Sequence, residues 1–425
     1  MTDPTAINSA VVAVGDELLF GMTVDGNGSW LSKKLTEMGA PVSARWVIGD
    51  DPTAIKRTVL TALGKSDLVI VCGGLGPTSD DRTRPAVADL FGLKLVIDQG
   101  LADKLHGRFS SAGHGTLPTN NLAQAEVPEG SIVVPNYEGT APGLIIEEGK
   151  KSVVLLPGVP HEMRLMFDST VTDYINQRFQ LYLNPILHRT FNTSGIPESL
   201  LAEKIGEHVA DFPSDVSLAF LPGLQGVSVR LTTAVSSGEG IANLDFCENL
   251  IGPHLNPYCY SVGEKSLIEA VADRLLIDKK SFAVSESCTG GFISKLITDH
   301  PGSSRYFKGA IVAYDPATKS DILGIERSLI EKHGIVSETI ASAMAEKTAD
   351  IMNTDFAIGL TGVAGPEGGS LACPVGTVCY AVAGGGRVVS FRKRFMGDRT
   401  SIRERATQAA LFSLFQILTK NTGLR

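Results

Sequence analysis

The chain has 425 residues, 43% hydrophobic and 20% charged, with a formal net charge of −8. That length exceeds one ordinary core and calls for two to four domains; the acidic balance gives no electrostatic reason to bind nucleic acid. The opening "MTDPTAINSA" lacks a secretory leader's basic and apolar regions, no apolar run reaches the roughly 18 residues of a membrane helix, and six scattered cysteines without a CxxC pair read as reduced thiols of a cytoplasmic protein.

In chain order, "AVVAV" (10–14) reads as a short buried strand and "NGSWLSKKLTEMG" (27–39) as a helix closed by glycine. "DLVIVCGG" (67–74) and "KSVVLLPGVP" (151–160) supply further buried strands. Strands separated by helices predict a parallel sheet covered on both faces, in a first domain ending near residue 170. Residues 185–262 change character: "LHRTFNTSG" and "GVSVRLTTAV" alternate as strands around the amphipathic helix "PESLLAEKIGEHV", a small α+β module. The turn-rich "NPYCYSVGEKS" (256–266) marks a boundary. An α/β pattern then restarts: helix "SLIEAVADRLLIDKK", strand "SFAVS", strands "GAIVAYD" (309–315) and "DFAIGL" (355–360), a hairpin turning on three glycines in "GTVCYAVAGGGRVVSFRKRF", and a closing helix "SIRERATQAALFSLFQILTK".

Two regions carry chemistry. In the first, "VGDELLFGMTVDGN" and "CGGLGPTSDDRTR" follow strands, where open α/β sheets bind ligands. Gly73, Gly74 and Gly76 let backbone amides approach a phosphate, Thr78 and Ser79 offer hydroxyls, and Glu17, Asp80 and Asp81 are hard oxygen ligands suited to a divalent cation. Acids in a first helical turn also complement the helix dipole, so taken singly they have a structural explanation. In the second region, "AVSESCTGGFISKLI" (283–297) places Ser287, Cys288, Gly290 and Gly291 where a strand becomes a helix. Small polar residues there are poor core material but suit close backbone approach to a ligand, although they also cap helices.

The motifs "GDELLFG", "GGLGPTSDDRTR", "NYEGTAPG" (136–143) and "LPGVPHEM" (156–163) resemble the molybdopterin-binding-like domain of the CinA family. "SESCTGG", "PGSSRYFKG" (301–309), "VAYDPATKSDILG" (312–324), "LTGVAGPEGG" (360–369) and "GDRTSIR" (397–403) resemble the CinA carboxy-terminal domain, which includes nicotinamide mononucleotide deamidases. The resemblance implies a multidomain α/β chain: residues 1–170 molybdopterin-binding-like, 171–263 a KH-like α+β module, and 264–425 an α/β amidohydrolase domain. It implies hydrolysis of nicotinamide mononucleotide in pyridine-nucleotide salvage, with no cofactor for that reaction, in a homodimer without nucleic-acid or membrane partners. For the first domain it implies, in some members, a metal-dependent ADP-ribose pyrophosphatase. This chain departs from the family there, reading "NLAQAEVPEG" with Ala123 where a lysine is usual. The rival readings are a regulatory protein of competence or damage response with degenerate sites, and a molybdopterin-handling enzyme.

Carboxamide hydrolysis needs a nucleophile, a base, oxyanion donors and a phosphate anchor for this substrate. The serines available are Ser287, Ser303 and Ser304, and no histidine lies in these motifs. Lys319 suits the base: Asp315 as N-cap and Pro316 at N1 hold it in the first helical turn, where a partly buried ammonium is disfavoured. Tyr314 sits where it orients or relays the proton, and Arg399, Thr361 and Gly362 suit the phosphate. The resemblance points to Ser304 as nucleophile with Lys319, Tyr314 assisting and Ser287 as supporting donor; the residues themselves leave the two serines interchangeable. Each of these side chains has a plain structural alternative, as cap, surface charge or strand-end aromatic.

Overall fold

The computed structural model describes residues 7–111, 122–179, 186–233 and 238–421, and residues 1–6 of the opening stretch lie outside them. The chain divides into two compact units, Met1–Leu187 with Ala234–Ile241, and His188–Thr233 with Ala242–Arg425.

The first unit is built on a six-stranded sheet. Its elements are β1 (Ser9–Val14), α1 (Asp16–Leu19), α2 (Gly26–Glu37), β2 (Val42–Ile48), α3 (Pro52–Leu63), β3 (Leu68–Cys72) and α4 (Thr83–Leu90). There follow β4 (Leu95–Ile97), α5 (Gln99–Ser111), β5 (Glu126–Pro128), β6 (Ile132–Val134), β7 (Gly143–Glu148), β8 (Lys151–Leu156), α6 (Pro160–Met166) and α7 (Thr172–Phe179). Strand order is β2-β1-β3-β8-β7-β6, while β4 and β5 pair separately. The central strands are apolar throughout because both faces are covered. Val12, Val14, Val69, Val71, Val153 and Leu155 face one core with Ile55 and Val59 of α3. Val11, Leu68, Ile70, Val154 and Leu156 face the other with Leu31 and Leu35 of α2.

The sheet is not wholly parallel as the spacing predicts. β1, β2, β3 and β8 are parallel, but β7 pairs antiparallel with β8 and β6 antiparallel with β7. Glu148 to Lys151 is a tight hairpin with Gly149 at φ 59°, too short for a crossover helix. From β1 the chain passes to β2 on one side, then returns to β3 on the other. That reversal opens a crevice at the carboxyl ends of β1 and β3.

The second unit begins with an α+β module: β9 (Leu187–Thr193), α8 (Glu198–Val209), β10 (Val216–Gly223), β11 (Gly226–Thr233), α9 (Gly238–Leu255) and β12 (Cys259–Val262). Its sheet order is β10-β11-β9-β12. The stretch read as a turn-rich boundary therefore contains a strand, β12, paired antiparallel with β9.

The remaining elements are α10 (Leu267–Ile277), β13 (Phe282–Glu286), α11 (Phe292–Thr298), β14 (Phe307–Val312), α12 (Pro316–Asp321), α13 (Arg327–His333), α14 (Glu338–Met352), β15 (Phe356–Gly362), β16 (Thr377–Gly384), β17 (Arg387–Arg394) and α15 (Arg399–Asn421). The sheet runs β14-β13-β15-β16-β17, parallel across the first three strands and antiparallel beyond. Period-two alternation sorts its faces. Phe282, Val284, Phe356, Ile358, Leu360, Val378, Tyr380 and Val382 pack with large residues of α10, α11 and α15. Cys379, Ala381 and Ala383 are small because Ala341 and Ala345 of α14 lie close against them.

Gly359 shows how close that approach is: a Cβ there would stand 2.4 Å from both the Ala341 carbonyl oxygen and the Ala345 nitrogen. Gly359→Ala should therefore push α14 off the sheet and destabilise by about 1–3 kcal/mol, as overpacking does. The check is a denaturant midpoint that falls at constant slope; an unchanged midpoint would contradict this packing.

Candidate functional site

The alternation that sorts the sheet also sorts the "SESCTGG" segment. Ser285 faces α14, and its hydroxyl donates to the Met344 carbonyl at 3.2 Å. Glu286 turns the other way and is fully buried. Its carboxylate accepts from the amides of Gly291, Ile293 and Ser294 at 2.9–3.1 Å and from the Ser294 hydroxyl at 2.5 Å. It thereby satisfies the free donors at the start of α11. Gly290 and Gly291 sit at φ 59° and 93°, with no atom within 3.6 Å of a hypothetical Cβ. Backbone conformation, not crowding, calls for glycine there.

Ser287 follows, with its amide donating to Leu360 O at 3.0 Å. Its side chain meets Lys319: the Lys319 Nζ donates to Ser287 Oγ at 3.0 Å and to the Ala313 carbonyl at 2.7 Å. Lys319 is 0% exposed. α12 holds it as the spacing predicts, with Pro316 at the start and the Asp315 side chain accepting from Ala317 N. Burial pushes the Lys319 pKa below the ordinary lysine value, against the opposing pull of Cys288 and Asp315. Among the described residues it forms no ion pair, and burial works toward the neutral amine that a base beside a hydroxyl must be.

The pairing of Lys319 with Ser304 is not what the structure shows. Ser304 lies in a one-turn 3₁₀ segment, Ser303–Arg305, and is exposed. Gly302, at φ 84°, turns the chain to start that segment. Tyr314 does not reach the dyad either; it is exposed, and its hydroxyl accepts from Arg399 Nη2 at 2.8 Å. Arg399 Nη1 donates to the Gly365 carbonyl at 2.7 Å. Thr361 is buried and donates to Ile335 O at 3.0 Å. Gly362 is explained by strand packing, since a Cβ would stand 2.8 Å from Val378 Cγ2.

Arg403 is the residue that the sequence reading missed. Its Nη2 donates to Thr289 O, and its guanidinium lies 5.9 Å from the Phe292 ring centroid. The signal was present: Arg403 ends the "GDRTSIR" motif, four residues beyond Arg399 and hence on the same helical face. Arg403, Arg399 and Lys319 all lie close enough to act on Cys288, which places two guanidiniums and the Lys319 amine around the turn that carries Ser287. Burial outweighs them and pushes the Cys288 thiol up to about 12, so it stays protonated at neutral pH and is no nucleophile.

In the first unit the predicted residues gather at the crevice. Gly73 and Gly74 take φ 113° and 67°. A Cβ on Gly73 would stand 2.1 Å from Val14 O, and one on Gly74 2.4 Å from Thr83 Oγ1. Asn27 donates to Gly158 O at 2.7 Å, joining the end of β8 to the group. The acids behave differently. Asp81 accepts from the Thr78 amide at 2.9 Å and from its hydroxyl, which closes its own loop over Gly76. Asp50 is pushed above the usual carboxylate range by burial, with the charges of Asp16, Glu17 and Asp80 adding to it. Among the described residues no group of three or more His, Cys, Asp or Glu side chains is arranged to hold a metal ion. Glu17, Asp80 and Asp81 thus belong to no such group, and the Asp81 carboxylate is engaged by Thr78.

Fold and sequence together define a multidomain α/β chain with a molybdopterin-binding-like domain, a KH module and a third α/β domain. Residues 10–177 match the probable molybdopterin binding domain family, 188–261 the damage-inducible protein CinA KH domain, and 264–418 the CinA C-terminal domain. A CinA-like protein of Gemmatimonas aurantiaca is 39% identical, covering 97% of each chain. One of Dictyoglomus thermophilum is 38% identical, covering 94% of this chain and 97% of its own. A crystal structure of CinA from Thermoplasma acidophilum is 38% identical, covers 40% of this chain and 98% of that one, and has a TM-score of 0.37. The chain belongs to the CinA family. Among the described residues, no helix is long and apolar enough to cross a membrane.

Proposed function

We propose that the carboxy-terminal domain is an amidohydrolase that converts nicotinamide mononucleotide to nicotinate mononucleotide and ammonia, with Ser287 as nucleophile and Lys319 as base. One observation carries this reading: a fully buried lysine amine 3.0 Å from a serine hydroxyl, with no carboxylate ion-paired to it among the described residues. Neutral Lys319 takes the Ser287 proton as Oγ attacks the carboxamide carbon. It returns that proton to the departing ammonia, and water then hydrolyses the acyl-serine. The amide of Thr289 donates to no protein acceptor among the described residues, and the Thr289 hydroxyl is buried without a partner. They are the donors available to an oxyanion. Arg399 and Arg403 supply positive charge for the substrate's phosphate.

The test is ammonia and nicotinate mononucleotide appearing in equal amounts when the purified chain meets the substrate. Residues 264–425 hold the whole dyad and its core, so that segment should retain most of the specific activity. A folded protein releasing no ammonia would overturn the reading.

The first domain, on this reading, binds a phosphorylated nucleotide at the crevice beyond β1 and β3. Support comes from the strand order, whose reversal between β1 and β3 falls where open α/β sheets bind ligands. If the ligand is ADP-ribose, the missing ligand set argues for slow pyrophosphate hydrolysis or none.

A further inference from the structure

The edge of a sheet offers amides and carbonyls to any strand that comes alongside, and proteins ordinarily blunt such edges with charge or brevity. The other edges of the three larger sheets are blunted in that way. β2 carries Arg45, β14 carries Lys308, and β17 carries Arg387, Arg392, Lys393 and Arg394. β6 and β12 are only 3 and 4 residues long. β10 is different: it is an edge strand of 8 residues, "VSLAFLPG", and it holds no charge.

Its register with β11 shows which groups β10 turns outward. Pro222 stands opposite Val227, one pair before the hairpin closes at Gly223 and Gly226. Pro222 has no N–H to give, and the Val227 carbonyl faces β9, where it accepts from Thr193 Oγ1 at 2.6 Å. That pair is therefore not hydrogen-bonded, and by alternation neither are Phe220–Val229 and Leu218–Leu231. The amides and carbonyls of Leu218 and Phe220 thus point away from β11. Among the described residues no backbone bond takes them to another element, while Val216, next in the row, donates to the Pro213 carbonyl at 2.9 Å. Ala219, between the two, is exposed.

We propose that β10 pairs antiparallel with β10 of a second copy of this chain, across a twofold axis at Ala219. Each Leu218 then lies opposite the second copy's Phe220, and both pairs exchange backbone hydrogen bonds, as a self-complementary interface requires. The register is fixed by the strand itself. A twofold axis at Phe220 would set Leu218 against Pro222, which has no donor; one at Leu218 would set Phe220 against Val216, whose amide is taken. Leu218 and Phe220 share a face with Leu231 and Val229, both fully buried, so the pairing carries that apolar layer from one copy into the next. The inference is independent of the amide chemistry proposed above.

Sedimentation equilibrium of the full chain tests the pairing. Wild type should pass from monomer to dimer across the micromolar range. Ala219 is exposed and would face its own copy, so Ala219→Lys and Ala219→Glu should each fold as wild type does. Each should associate roughly 5-fold or more weakly, because like charges then stand directly opposite. An equimolar mixture of the two should regain dimer through opposite charges. Leu218→Pro deletes an outward donor and leaves the bonds to β11 in place, so it should weaken association by about 10-fold or more. A wild type that stays monomeric would overturn the proposal, including one whose edge takes up an extended peptide of another protein. Charge variants that dimerise as tightly as wild type, or that fail to recover on mixing, would overturn it as well.

Discussion

Lys319→Met should abolish amide hydrolysis and leave a protein that melts no lower than wild type at neutral pH. The loss of kcat should be about 10³-fold or more, and Ser287→Ala should match it, because members of one catalytic unit fail together. The double variant should be little worse than either single one. Ser304→Ala, at an exposed position away from the lysine, should stay within a few-fold of wild type. Stability moves in the opposite direction from activity. The folded pKa of Lys319 lies below its unfolded value because burial disfavours the ammonium. Below the folded pKa the burial penalty is present in full; it fades as pH rises from the folded to the unfolded value. Lysine's removal should therefore help most at lower pH, with the difference in melting temperature shrinking as the medium becomes alkaline. The same proton sets the rate: kcat/KM should rise with pH through the lowered lysine pKa, since only the neutral amine accepts from Ser287. An active Lys319→Met variant would end the dyad mechanism; an active Ser287→Ala with a dead Ser304→Ala would move the nucleophile to Ser304.

Arg399→Ala should act on binding. Among the described residues its guanidinium donates to a carbonyl and a tyrosine hydroxyl and pairs with no anion, which leaves its charge for a phosphate. Removing it should raise KM by roughly 10–100-fold with kcat nearly unchanged, the signature of an interaction made equally in ground and transition states. Arg403→Ala should differ, lowering kcat as well, because its bond to Thr289 O also steadies the turn beside Ser287. The comparison uses mononucleotide against free nicotinamide. If Arg399→Ala loses as much activity on the base as on the mononucleotide, the phosphate assignment is wrong.

Much of this was legible in the chain. The run "LVIV" of β3 announced a strand buried on both faces, and the three glycines Gly384–Gly386 announced the hairpin between β16 and β17. Asp315 and Pro316 placed Lys319 in its helix because capping is local chemistry. The choice between Ser287 and Ser304 was not legible, since it depends on where a lysine 32 residues away from Ser287 comes to rest. The antiparallel β6 and β7 were missed because strands of three and six residues give a weak period. The acids of "SDDR" looked like metal ligands in sequence, and only the fold shows Asp81 turned back upon Thr78.

Helix α15 has a consequence for how the protein comes to be made. It is the last element of its domain along the chain, yet Ile402, Ala406, Ala410, Leu414 and Leu418 fill the same core as Val271 and Leu275 of α10, the first. It also brings both Arg399 and Arg403. During synthesis one apolar face of this domain's sheet would stand only partly covered, by α10 and α11, until that helix emerges. Premature termination anywhere before residue 399 should therefore yield an aggregating chain, not a weakened enzyme, and no partial product should compete for substrate.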